Sequence, residues 1–324
     1  MRNWLLPEHI EDLLPDEAAR VERLRRVLVD HCVAQGYALV QPPMVEHIES
    51  LATGTGRDLE QQTFRMVDPL SGRMLGLRAD ITPQIARIDA HLLNESGVTR
   101  LCYAGSVLRT RVTGTASARE VIQVGAELFG EPAIGGDQEV IALILSALSA
   151  AGVRNLHLDL GHVAVYRALA NGAGIGNNGD DSEMFAALRA KDAPAVDTLT
   201  ARLQPAWRDA LRALPQLYGP AGEVLTRARR ELPDIPAIAN ALAALGALAQ
   251  AAATRVEALH IDLADLRGYH YHNAATFSVF TAGESGAIGN GGRYDGIGKA
   301  FGRARPATGF TLDLRQLAAI VARG

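Results

Sequence analysis

The hydrophobic pattern is most legible between residues 101 and 129. Residues 101–109 and 119–129 read as two strands joined by a loop over 110–118. Side chains on a strand alternate between its two faces. In the second strand one face carries Ile122, Val124, Ala126 and Leu128, an unbroken apolar set that predicts a core. The other carries Val121, Gln123, Gly125 and Glu127, a polar pair around a glycine. Gln123 and Glu127 stand roughly 13 Å apart at about 3.4 Å per residue, with Gly125 leaving room between them. The first strand ends in Arg109, on the face of Gly105 and Val107. An antiparallel pair of this kind presents a guanidinium, an amide and a carboxylate around a gap. A zwitterion needs such a set: a guanidinium for its carboxylate and a carboxylate for its ammonium. The same alternation also fits a hairpin whose outer face is simply solvated.

The remaining pattern predicts a mixture of helices and strands. Residues 15–35 form an amphipathic helix with Val21, Leu24 and Leu28 on one face, acidic residues in its first turn and Gly36 as its stop. A short strand over 37–41 runs into Pro42-Pro43, which cannot continue a central strand. Residues 66–77 read as a hairpin around Asp68-Pro69-Leu70-Ser71-Gly72. Thr82 reads as the N-cap of a helix to about residue 95, with Pro83 after it and Ile85, Ile88 and Leu92 inward. Asp80 and Thr82 then lie at a strand-to-helix turn, where helix amides attract anions; capping alone also explains Thr82. Asp137 caps a helix to residue 151, and Leu156, Leu158 and Leu160 alternate as a strand. Over 162–255 alanine dominates and strand signals vanish, which predicts an inserted helical subdomain with a flexible connector at 172–179. The sheet resumes over 259–263, 275–280 and 307–312, and a helix over 313–322 follows. The class is α+β.

Composition narrows the function. A chain of 324 residues, 48% hydrophobic and 21% charged, is that of an ordinary globular protein. A net charge of −4 gives no electrostatic case for nucleic-acid binding. Cys32 and Cys102 are the only cysteines and have no metal-like spacing, so a reduced cytoplasmic setting is expected. The N-terminal apolar run is too short for a signal peptide, and residues 236–254 read as buried helix rather than a membrane span. His270 and His272 could share a strand face, but no carboxylate or cysteine stands at convincing spacing for a metal. The glycine-rich run 289–296 is not a phosphate-binding P-loop and reads as a close backbone approach to a ligand or a tight turn. No nucleophile elbow is present, and no cofactor is expected.

Taken in order, these stretches resemble histidyl-tRNA synthetase and other class II aminoacyl-tRNA synthetases over nearly the whole chain. The helix ending at Gly36-Tyr37, with Pro42-Pro43-Met44-Val45-Glu46, looks like motif 1, which usually builds a dimer interface. Leu77-Arg78-Ala79-Asp80-Ile81-Thr82 resembles the family's Leu-Arg-Pro-Glu-Gly-Thr, and Leu108-Arg109 through Gln123-Val124-Gly125-Ala126-Glu127 resembles motif 2. Arg267-Gly268-Tyr269-His270-Tyr271-His272-Asn273 is similar to the histidine-specific Arg-Gly-Leu-Asp-Tyr-Tyr-Asn loop, and Gly291-Gly292-Arg293-Tyr294-Asp295-Gly296 matches outright. The resemblance implies a class II synthetase-like antiparallel sheet flanked by helices over 1–161 and 256–324. It further implies a helical subdomain over 162–255 and no anticodon-binding domain. By resemblance Asp80 and Glu127 meet an ammonium, Arg109 and Gln123 the carboxylate side, and Arg267 and Tyr271 the neighbourhood of the imidazole; Thr82 joins this histidine-binding set.

The departures concern ATP. Arg111 stands where motif 2 has a glutamate that helps hold ATP, Val121 where an aromatic stacks on adenine, and Gln316 where motif 3 has a triphosphate arginine. A lost charge-assisted contact costs on the order of 2 kcal/mol or more. A histidine pocket without ATP contacts is similar to the regulatory subunits of short-form ATP phosphoribosyltransferases, synthetase paralogues in histidine biosynthesis. That resemblance implies a separate catalytic subunit as partner, feedback by histidine, a homodimer within a hetero-oligomer and no catalysis by this chain. The alternatives are a degenerate synthetase that activates an amino acid without charging tRNA, and a histidine sensor outside biosynthesis.

Overall fold

The computed structural model describes residues 5–53, 57–112, 118–175, 181–269 and 271–323. Helix α1 (Pro15–Ala34) opens with proline at its first position, as the sequence predicts, and leads through Gly36, at φ +88°, into β1 (Ala38–Leu39). There follow β2 (Val45–His47), α2 (Ile48–Ala52), α3 (Arg57–Gln62), β3 (Phe64–Val67), β4 (Met74–Leu77) and α4 (Thr82–Arg87). The central pair is β5 (Thr99–Leu108) and β6 (Glu120–Phe129), followed by α5 (Ile134–Ala150) and β7 (Leu156–His162). A helical stretch comes next: α6 (Val163–Ala173), α7 (Asp181–Arg189), α8 (Ala193–Thr200), α9 (Pro205–Ala213), β8 (Tyr218–Pro220), α10 (Ala221–Glu231) and α11 (Pro236–Ala252). The chain continues with β9 (Ala258–Asp262), β10 (Ala275–Thr281), β11 (Gly289–Arg293), α12 (Ile297–Ala300), β12 (Ala307–Asp313) and α13 (Leu314–Val321).

Nine strands form one sheet in the order β1-β5-β6-β12-β11-β10-β7-β9-β8, and β2-β4-β3 form a small second sheet. The large sheet is antiparallel from β5 to β7. The pairs β1–β5 and β7–β9 are parallel, so the expected antiparallel sheet is mixed at its flanks. Strands β7 and β9 are hydrogen-bonded neighbours, and the helical stretch is the crossover between them. It is not wholly helical: β8 pairs with β9 at the sheet's edge. Its Leu242, Leu245 and Leu248 share one core with Leu28, Val124, Leu128, Ile144 and Leu158 from the helices and strands around them.

The two faces of β6 enter different cores. Val124, Ala126 and Leu128 pack under α1 and α5, whereas Val121 joins Ile81, Ile85, Leu101, Tyr103 and Tyr294 on the opposite side. The second layer removes the solvated alternative for this hairpin, because Gln123 and Glu127 are each 1% exposed. Of the loop 110–118, residues 113–117 lie outside the described residues, as do 176–179 of the connector.

Four local expectations are corrected. Thr82 is the first helical residue, Ile81 precedes it as cap, and the Thr82 hydroxyl is used elsewhere. Helix α4 passes into a π-helical turn, Ile88–Leu93, which rotates Leu92 outward to 69% exposure. Asp137 lies inside the first turn of α5, where it pairs with Arg293 rather than capping. The glycine-rich run contains β11, in the middle of the sheet; a Cβ at Gly291 would sit 2.3 Å from the Gly309 carbonyl oxygen.

Candidate functional site

The turn between β4 and α4 is fixed by a buried arginine. Arg78 donates to the carbonyls of Ser106 at 2.8 Å and Pro42 at 2.9 Å, which leaves Asp80 at the open side of the turn. The Ile81 amide donates both to Asp80 Oδ1 at 2.8 Å and to Gln123 Oε1 at 3.1 Å, so these two side chains meet at one backbone group. Arg109 approaches the same turn, donating from Nε to the Ala79 carbonyl at 3.3 Å.

Glu127 lies deeper, opposite Gly309 on β12. A Cβ on Gly309 would overlap the carboxylate, so only glycine leaves it space. Thr82 Oγ1 donates to Glu127 Oε1 at 2.8 Å, Tyr103 Oη donates to the same oxygen at 3.3 Å, and Tyr294 Oη donates to Oε2 in a short contact. Burial pushes the Glu127 carboxyl up to about 8; the hydroxyls of Tyr294 and Thr82 oppose that rise and the charge of Asp80 adds to it. The space expected beside Gly125 is taken by the Tyr103 ring, whose hydroxyl would stand 2.3 Å from a Cβ there. Tyr271 stacks on Tyr294 with ring centroids 4.8 Å apart, and its buried hydroxyl lacks a hydrogen bond of good geometry. Burial raises both phenols well above their ordinary range.

A cavity of about 710 Å³ opens beside this cluster. Arg109, Gln123, Arg267 and Thr311 line it. Asp80 shares the Ile81 amide with Gln123, and Tyr103, which donates to Glu127, is also hydrogen-bonded to Thr311, so both carboxylates lie one residue behind that lining. Arg267 comes from the opposite wall and is paired with Asp265, its Nη2 2.6 Å from Oδ2. The structure therefore joins Asp80 and Gln123 at the Ile81 amide and Thr82 to Glu127, with Tyr271 stacked on the Tyr294 ring that also bonds Glu127, and Arg109 and Arg267 on the cavity wall. Tyr103 and Tyr294 were not among the expected site residues. Alternation places Tyr103 two residues from Gly105 on the Arg109 face, which could have flagged it. Tyr294 stood inside a motif read for its backbone.

The side of the cavity formed by the start of α13 departs from a nucleotide site. Gln316 and Asp313 line it. Arg111 is exposed and bonds Gln61 at 3.4 Å, and Val121, which belongs to the second core, lines the cavity with an aliphatic side chain. The backbone before α1 occupies this side: the Glu11 carbonyl accepts from Arg315 at 2.9 Å and the His9 carbonyl from the Arg119 amide at 2.9 Å. Among the described residues no group of three metal-ligating side chains is present; His270 lies outside them, and burial lowers His272 to about 4. Among them, too, no helix is long and apolar enough to cross a membrane. Cys32 and Cys102 are buried free thiols.

Residues 9–317 match the histidyl-tRNA synthetase family. An ATP phosphoribosyltransferase regulatory subunit from Ralstonia nicotianae is 57% identical over 99% of this chain and 82% of its own. One from Thiobacillus denitrificans is 56% identical over 98% of each chain. The chain belongs to the family of ATP phosphoribosyltransferase regulatory subunits. Its fold carries the same relationship. A Bacillus halodurans structure described as an ATP phosphoribosyltransferase regulatory subunit/histidyl-tRNA synthetase superposes with a TM-score of 0.87 at 26% identity, covering 98% of this chain and 83% of that one. A Nostoc histidyl-tRNA synthetase superposes at 0.80 with 18% identity over 100% of this chain and 77% of that one, a likeness of fold. The class II synthetase-like architecture expected from the motifs is thus the architecture of this regulatory-subunit family.

Proposed function

We propose that this chain serves an ATP phosphoribosyltransferase of the short form as its non-catalytic regulatory subunit and binds histidine in the pocket around Glu127. The regulatory role follows from membership of the family. The observation that carries the histidine reading is the grouping of Asp80, Gln123 and Glu127 beside a cavity walled by Arg109 and Arg267. Glu127 sits among Thr82, Tyr103, Tyr294 and Tyr271, a deep aromatic and hydroxyl-lined end that suits an imidazole. Asp80 is half-buried at the nearer turn and suits the ammonium, and the two arginines face the ligand's carboxylate. On this reading Glu127 meets the ring, where the resemblance implies the ammonium. Each charge-assisted contact is worth roughly 1.5–3 kcal/mol.

Arg111, Val121 and Gln316 speak against an amino-acid-activating enzyme, and no feature of the cavity favours that alternative. The chain acts in the cytoplasm as a homodimer within a hetero-oligomer, and residues 162–255 form a helical unit inserted in the synthetase-like core. The test mixes this chain with the catalytic subunit and follows phosphoribosyl-ATP formation. Activity should need both chains, and histidine should suppress it. Glu127→Ala should keep the activation but require about tenfold more histidine, at 1.4 kcal/mol per decade. Unchanged inhibition in that variant would place the feedback site elsewhere.

A further inference from the structure

The segment from Asp265 to Asn273 carries Arg267 and Tyr271, and its own turns hold it only in part. Gly268, at φ +68°, accepts from the amides of Tyr271 at 2.8 Å and His272 at 2.7 Å. The far end is tied to β11 by the Asn273 amide and the Arg293 carbonyl, 2.9 Å apart. Between these points Tyr269 does not line the cavity. It is buried between Tyr166 on α6, ring centroids 5.4 Å apart, and Phe185 on α7, 5.5 Å apart. The Arg167 guanidinium on α6 lies 5.1 Å from the Tyr269 ring centroid. Its Nη2 donates to the carbonyls of Tyr269 and His272, each at 3.4 Å. These two carbonyls bracket Tyr271. Among the described residues Arg167 has no carboxylate within ion-pair distance, so its donors go to the loop. The base of α6 is itself anchored, because His162 at the end of β7 caps it through Nδ1 and the Ala164 amide.

A continuous set of contacts therefore runs from the helical stretch to the pocket. Arg167 and Phe185 grip Tyr269; Tyr271, two residues on, stacks on Tyr294; Tyr294 bonds to Glu127. We propose that Arg167 and Tyr269 form a latch through which helices α6 and α7 set the conformation of the 265–273 loop, with Arg167 as a positioning residue for the pocket. The ligand half of this proposal rests on the histidine reading above; the mechanical half does not. Coupling of this kind is reciprocal: if the helices order the loop for the ligand, the ligand must steady the helices. A chain of contacts alone is not evidence of coupling, so the test measures it directly.

Arg167→Met keeps the aliphatic stem and removes the donors, and Phe185→Leu removes one wall of the Tyr269 site. Hydrogen–deuterium exchange on the full chain should show amides over 266–273 opening about tenfold faster in both variants, with β10 and β12 unchanged. Calorimetry should show histidine affinity falling by about tenfold in both, and Arg167→Lys, which can still reach one carbonyl, recovering part of the loss. In the wild type, saturating histidine should slow exchange in α6 and α7. Loop exchange equal to wild type in both variants overturns the latch. If one substitution speeds exchange in every element it has unfolded the protein, and the other decides by the same criterion. A wild type that takes up no histidine defeats the reading of the pocket, while the exchange data still decide the latch.

Discussion

Glu127 offers a test that depends on a proton. The carboxyl is 1% exposed, and burial moves it from an ordinary 4.5 to about 8 against the pull of three hydroxyls. At pH 7 the free protein then holds about 0.9 of a proton there. A ligand that brings a positive or hydrogen-bond-donating group against Glu127 favours the carboxylate, so binding expels that proton. Calorimetric titration with histidine in buffers of different ionisation enthalpy counts it. Glu127→Gln keeps the shape and an acceptor oxygen but cannot ionise. With the imidazole bound neutral, its N–H donating to the carboxylate, wild type should release about 0.9 proton more than the variant at pH 7; a ring bound as imidazolium would instead keep the proton Glu127 gives up. Its affinity relative to the variant should climb nearly tenfold per pH unit from about 5 to 8. Stability of the unliganded protein carries the same signature. Between 4.5 and about 8 the folded chain holds more protons than the unfolded one, so the Glu127 contribution is complete below 4.5 and lost as pH rises through about 8. The full span is on the order of 5 kcal/mol at most, and Glu127→Gln should lack it. Equal proton counts with parallel pH profiles in the two proteins would refute the buried, neutral carboxyl and the role drawn from it.

The chain should not activate amino acids, since Arg111, Val121 and Gln316 replace the contacts that hold ATP; pyrophosphate exchange driven by histidine and ATP should stay at background. A homodimer is expected on residues 15–41, where Val27, Val33 and Leu39 are exposed. Sedimentation should give a dimer at micromolar concentration, and Leu39→Asp should shift it towards monomer. Arg293 is buried with Asp137, 2.9 Å away, and also holds the carbonyls of Glu131 and Ala133. Arg293→Ala strands that carboxylate and should lower stability by about 3–5 kcal/mol in denaturant titrations.

The reach of the sequence differed between elements for physical reasons. The β5–β6 hairpin and α1 were legible because their signals are local: a period of two in one, capping chemistry and an apolar stripe in the other. Both were placed to within two residues. Strand β11 was not legible, because glycines at 289, 291 and 292 carry no pattern of their own. They form a strand because Ile144, Phe277 and Leu312 fill the space above them, and those contacts come from distant parts of the chain. Leu92 failed for a different reason. The period of 3.6 was extended through a turn that widens to a π-helix, and the inward face moved on.

The pocket shows where local reading stops. Alternation correctly put Gln123 and Glu127 on one face of β6, but it could not decide whether that face met water or a second layer. That decision lies in partners far along the chain: Thr82 is 45 residues from Glu127 and Tyr294 is 167. Gly125 and Gly309 illustrate the ambiguity. A glycine in a strand marks space, yet one space holds the Tyr103 ring and the other the Glu127 carboxylate. Only the ordered set of motifs linked these positions before the fold was known. The fold adds the physical reason for their grouping: a carboxyl that is buried, lined by the hydroxyls of Thr82, Tyr103 and Tyr294, and pushed towards its neutral form by that burial.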